Sequence, residues 1–209
     1  MKRPQSLTYH ALVAAPPPAA DTSVLAVHVQ QQQMPEWCWA AISASLKDFF
    51  ARPASPTAQC SIVNGGLAPS QRDNLDACTQ PTPAACDKPW YLEFGLDAAG
   101  IGRETLKHAI SFDDVVTQLA AGAPPCVLLA WHVSTVHQSG GGHFVTLYGH
   151  GPTSGEAPAW ISIGDPLYGD TVMNFDNFPA SYHGGAAWSQ TYRVTWPAPN
   201  ASAAKEATS

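Results

Sequence analysis

Among the five cysteines of this 209-residue sequence, Cys38 is the one placed for chemistry. It follows Pro35 and Glu36, lies between Trp37 and Trp39, and precedes Ile42, Leu46, Phe49 and Phe50, which recur at helical spacing with Trp39. Proline at a first helical position loses no hydrogen bond, and an acidic residue there complements the dipole. The spacing therefore predicts a helix with one strongly apolar face, opening at Pro35, closing at Arg52-Pro53, and carrying Cys38 two or three residues in. Unpaired N–H groups at a helix start stabilise an anion, and the thiolate is the nucleophilic form of cysteine. A thiolate attack on an acyl group also needs donors for the oxyanion. Gln32, six residues upstream, would supply its side-chain amide, and the Cys38 backbone N–H would be the second donor. Trp37 and Trp39 would keep water away, or belong to the core.

A base must come from elsewhere in the chain. Gly140-Gly141-Gly142-His143-Phe144-Val145 sets a histidine at the head of an apolar run, behind residues without side chains that would let a substrate backbone approach. One strand later, Ile163-Gly164-Asp165-Pro166 sets an acid at a strand end. If the two strands are neighbours, Asp165 takes one ring nitrogen of His143 and the other faces the sulfur. His132, His137 and His150 compete with His143. Asp170 competes with Asp165, which also suits a turn before Pro166.

The elements that must position these groups divide into helices first and strands later. Ser111-Phe112-Asp113-Asp114 has the form of a capping box and predicts a second helix, closed by Gly122. Short runs at Val24–Val29, Val127–Trp131, Phe144–Tyr148, Trp160–Ile163, Thr171–Phe175 and Gln190–Trp196 lie between Gly, Pro, Asp and Asn turns and read as strands. The expected class is α+β, an N-terminal helix carrying the nucleophile packed on a C-terminal antiparallel β-sheet. Residues 53–88 read as irregular. Cys60, Cys78 and Cys86 lie there, and two of them can pair; Cys126 reads as a small buried residue. Residues 1–22, rich in Pro and Ala, and residues 198–209 are expected to be flexible, leaving one domain over 23–197.

Composition excludes several classes. Charged residues make up 12% of the chain and the formal net charge is −6, so no basic field exists for nucleic acid. No apolar stretch reaches the ~20 residues of a membrane span. Met1-Lys2-Arg3 resembles the start of an export signal, but the apolar run behind it stops at Pro16. The expectation is a soluble protein without a cleavable signal, cytoplasmic or secreted by a specialised system.

The blocks Gln32-x5-Cys38-Trp39-Ala40, Gly142-His143-Phe144-Val145 and Gly164-Asp165-Pro166 resemble the papain-like cysteine peptidases over roughly residues 24–180. The wording around Cys38 is most similar to short bacterial members, the avirulence-type effector proteases and relatives of bacteriocin-leader peptidases. Departures are Pro35, where plant papains carry a cysteine, Asp165 in place of an asparagine, and a Cys-to-His separation of about 105 residues against ~130–150. The resemblance implies a papain-like fold and hydrolysis of a peptide or isopeptide bond in a protein or peptide substrate, through a Cys38-His143-Asp165 triad and an acyl-thioester, without metal or cofactor. The same constellation also serves transglutaminase-like acyl transfer, cell-wall amidases, or a silent binding module. A zinc site on these three residues has no use for a Gln donor or a helix-borne thiol.

Overall fold

The structure is a computed structural model that describes residues 22–79, 84–131, 142–153 and 157–197. The terminal segments expected to be flexible lie outside the described residues except for Thr22, as do His132, His137, Gly140 and Gly141.

Among the described residues, seven strands form one antiparallel sheet: β1 (Ser23–Val24), β2 (Gly102–Leu106), β3 (Cys126–Ala130), β4 (Gly142–Gly151), β5 (Trp160–Gly164), β6 (Thr171–Asn174) and β7 (Ala187–Thr195). Their order is β2-β7-β3-β4-β5-β6, with β1 also pairing β4. The described residues also form the helices α1 (Cys38–Ala51), α2 (Gln59–Gly66), α3 (Leu92–Ala99) and α4 (Phe112–Ala120). A mixed fold of helices and antiparallel sheet is thus present. Side chains alternate across the strands and build two cores. Phe144, Cys126, Tyr192 and Val194 pack with α1, α2 and α3, whereas Val145, Leu147, Ile161 and Ile163 pack with Val115 and Leu119 of α4. Among the described residues, no helix is long and apolar enough to cross a membrane.

Helix α1 starts three residues later than its sequence implies. Residues 34–37 form a turn in which the Trp37 N–H donates to the Met34 carbonyl at 3.1 Å, and Pro35 presets that turn rather than the helix. Cys38 is consequently the first helical residue, and Glu36 lies outside the helix. The expected single apolar face also needs correction: every residue from Cys38 to Leu46 is buried, so the first turns run through the interior. Ser43 and Ser45 survive there by donating to the Trp39 and Ala41 carbonyls. The helix ends as expected, with Arg52 in left-handed conformation before Pro53.

The region 53–88 is more regular than its composition suggests. Helix α2 contains Asn64-Gly65-Gly66, poor helix formers. It is stabilised by packing, because Gly65 abuts Ala98 and Gly66 lies under the Trp39 ring. A Cys60–Cys78 disulfide ties it to the following loop, and Cys86 stays free and buried. Short 3-10 turns occupy Pro69–Arg72 and Ala84–Cys86. Helix α3 and strand β2 were not expected; Gly100, at φ +76°, ends α3 by donating to the Leu96 and Asp97 carbonyls.

Helix α4 follows its capping box: the Asp114 N–H donates to Ser111 Oγ at 3.1 Å, and Ser111 donates back to the Asp114 carboxylate. Gly122 follows α4 at φ +69°. Of the strand expected over Val24–Val29, only Val24 joins a ladder, together with Ser23 before it. Beyond them the chain straps across the sheet, with the Leu25 N–H on Tyr148 O, Val29 against Gly164, and the Gln32 N–H on Pro166 O. The strap delivers the chain to Cys38.

Candidate active site

Three elements meet at one end of the sheet. Cys38 opens α1, His143 is the second residue of β4, and Asp165 immediately follows β5. Antiparallel pairing of β4 with β5 sets Thr146 opposite Gly164, which brings the head of β4 beside the end of β5. His143 Nε2 lies 2.8 Å from Asp165 Oδ1, and the imidazole also hydrogen-bonds the Cys38 side chain. With Nε2 occupied by Asp165, Nδ1 is the nitrogen left for the sulfur. His143 thus has a carboxylate on Nε2 and a thiol within hydrogen-bonding reach of its ring.

Burial and charge compete at this imidazole. Burial disfavours its cation, but the hydrogen bond to Asp165, the hydrogen bond to Cys38 and their charges overcome that, and the pKa is pushed up to about 9. Asp165 is 2% exposed. Its burial opposes ionisation, yet His143, Tyr182 and the Tyr168 N–H together hold its carboxyl below the usual carboxylate range. Oδ1 accepts from the N–H groups of Leu167 (2.7 Å) and Tyr168 (2.9 Å) as well as facing His143. Asp165 therefore starts a turn and partners the histidine at once, so the two readings of this residue are compatible. Oδ2 accepts from the Tyr182 hydroxyl at 2.6 Å.

Of the competing residues, Asp170 is exposed and interacts with Tyr148. His150 is buried further along β4, edge-on to Phe112 at 6.0 Å. Trp37 and Trp39 are core residues rather than a cover for the thiol. Their indole N–H groups donate to the carbonyls of Cys86 (2.7 Å) and Lys88 (3.1 Å), and the Glu36 N–H donates to Asp87 Oδ1. Gly142 also has a nearer reason to be glycine than substrate approach: a Cβ there would lie 2.5 Å from Leu128 Cδ1.

Gln32 lies beside the turn leading to Cys38, but its Nε2 donates to the carbonyls of Met34 (3.1 Å) and Pro35 (2.6 Å). Its amide therefore braces that turn, and service to an oxyanion requires it to give up one of those bonds. Its neighbour Gln30 is a structural lock, bonding Ser45, Asp48 and the Thr57 carbonyl.

Two features escaped the sequence. Tyr182, buried in a 3-10 turn (Tyr182–Gly184), lies far from any recognisable block. An apolar hollow of about 330 Å³ lies between Pro89, Trp90 and Tyr91 on one side and Leu128, Gly142 and Phe144 on the other. Gly142 and Phe144 flank His143 in the chain, so the hollow runs along the head of β4. The spacing of Trp90, Tyr91 and Phe94 was the available signal for its aromatic wall.

The sequence matches no protein-family model and no curated protein. Among solved structures, the fold is similar to a double glycine motif protease from an AMS/PCAT transporter, crystallised in complex with its leader peptide. The TM-score is 0.45 at 13% identity, covering 82% of this chain and 93% of that one.

Proposed function

We propose that this protein is a papain-like cysteine peptidase whose domain spans residues 23–197. The observation that carries the reading is His143 hydrogen-bonded through Nε2 to Asp165 and in contact with the Cys38 thiol, with Cys38 at a helix start. In this reading the Cys38 thiolate attacks the acyl carbon, and the Cys38 N–H together with Gln32 stabilises the oxyanion. The C–N bond breaks as the His143 imidazolium gives its proton to the leaving amine, which leaves a thioester. Water, deprotonated by His143, then hydrolyses the thioester. Asp165 holds the imidazole tautomer throughout. The wording around Cys38 favours an effector-type role on proteins or peptides.

The test is to express wild type and Cys38→Ala and map new protein termini in both. The wild type should generate termini that the variant does not, and iodoacetamide should label Cys38 rapidly near pH 6, an effect lost in His143→Ala. Free muropeptides without new termini would identify a wall amidase, and amine incorporation an acyltransferase. Labelling of Cys38 no faster than that of a free small-molecule thiol would leave a silent binding module.

A further inference from the structure

We infer that Tyr182 is a positioning residue of this site, whose hydroxyl keeps the Asp165 carboxylate ionised and fixed against rotation. The inference rests on the peptidase reading for its catalytic meaning, though the contact itself does not. A carboxylate offers about four acceptor positions. Oδ1 already faces three N–H groups, from His143, Leu167 and Tyr168. Oδ2 is turned the other way, in a side chain with no exposed surface. The donor it meets is the Tyr182 hydroxyl at 2.6 Å, the short distance of a charge-assisted bond. Without it, Oδ2 would be a buried anionic oxygen lacking compensation, and the carboxyl would take up a proton more readily.

The donor is well suited to the task. Tyr182 is buried among Phe178 and the second core, and burial together with Asp165 pushes its phenol well above the ordinary range, so it stays a donor at every working pH. The ionisable groups around Asp165 include His143 from β4, with Cys38 of α1 beyond it, Tyr182 from its turn and Tyr168 from the turn that Asp165 itself begins, and the His183 ring packs on Tyr168 and Tyr182 at 3.9 and 4.4 Å. Tyr182 bonds Asp165 through a side-chain hydroxyl and lies outside the Cys-His-Asp set, so substitution can remove the bond without removing a member of that set, whereas Tyr168 bonds through its backbone N–H.

Tyr182→Phe deletes the hydroxyl and keeps the ring. The carboxyl carbon of Asp165, followed by carbon-13 NMR, should titrate at higher pH in this variant, with proton affinity raised roughly tenfold. The acid limb of Cys38 alkylation should move the same way, and the thermal midpoint should fall by a few degrees, because a buried carboxylate loses a charge-assisted hydrogen bond. An Asp165 titration identical to wild type in a folded variant would overturn the inference. If wild-type Cys38 shows no enhanced alkylation, the peptidase reading fails, and the carboxyl titration still judges Tyr182. If Tyr182→Phe does not fold, replacing the tyrosines by 3-fluorotyrosine, a stronger donor, should lower the Asp165 titration point; no change would refute the assignment.

Discussion

Asp165→Asn removes a charge while keeping a shape, and the structure determines how the amide must sit. The Leu167 and Tyr168 N–H groups both point at Oδ1, so they select the carbonyl oxygen of an asparagine for that place. The amide nitrogen then falls where Oδ2 was, and Tyr182 turns its hydroxyl from donor to acceptor. The bond to His143 Nε2 survives and the ion pair does not. Two unit charges about 4 Å apart attract by roughly 4 kcal/mol at an effective dielectric of ~20, equivalent to about three pKa units. Part of the rise at His143 comes from Cys38, so the expected fall is about two pH units from the value of about 9.

A basic group raised from 6.5 to about 9 on folding contributes stability that is complete below pH 6.5 and is lost as pH rises through 9. Wild type should therefore lose stability across that window, by up to roughly 3 kcal/mol, and Asp165→Asn should show a much flatter profile. NMR titration of the His143 ring reports the midpoint, and melting at pH 6.5 and 9 reports the slope. A midpoint still near 9, with the slope intact, would refute the claim that Asp165 holds the imidazolium.

Two further outcomes concern the frame around the site. Gly95→Ala places a Cβ 2.5 Å from Ser43 Oγ and 2.9 Å from the Trp39 ring, so α3 must back away from α1. The cost is about 1–3 kcal/mol, read as a lower urea midpoint at constant slope, and a variant as stable as wild type would contradict that packing. Cys60→Ala opens a disulfide of sequence separation 18, which should cost about 3 kcal/mol in denaturation. Cys38 alkylation should persist in native buffer, because Trp37 and Trp39 are anchored at Cys86 and Lys88.

Legibility in the sequence followed how local each signal was. Cys38, His143 and Asp165 are each marked out by a few neighbours in the sequence, and they lie together at one end of the sheet. Helix α4 was readable because its capping box is contained in four residues. The start of α1 was misplaced because Pro35 serves a turn and a first helical position equally well. Helix α2 was hidden because its Asn64-Gly65-Gly66 end is made helical by Ala98 and Trp39, distant partners no local pattern reveals. Tyr182 was out of reach for the same reason: its bond to Asp165 crosses 17 residues and a change of element. Gly142 misled in the opposite direction, since what its missing side chain admits is Leu128.

The indole bonds of Trp37 and Trp39 to residues 86–88 bear on when Cys38 would acquire the reactivity proposed for it. Each spans 49 residues, and His143 arrives still later in the chain. A nascent or unfolded chain therefore holds Cys38 as an ordinary thiol, with no seated helix start and no imidazole beside it. Under the proposed function, reactivity would be acquired only when sequence-distant halves close on each other.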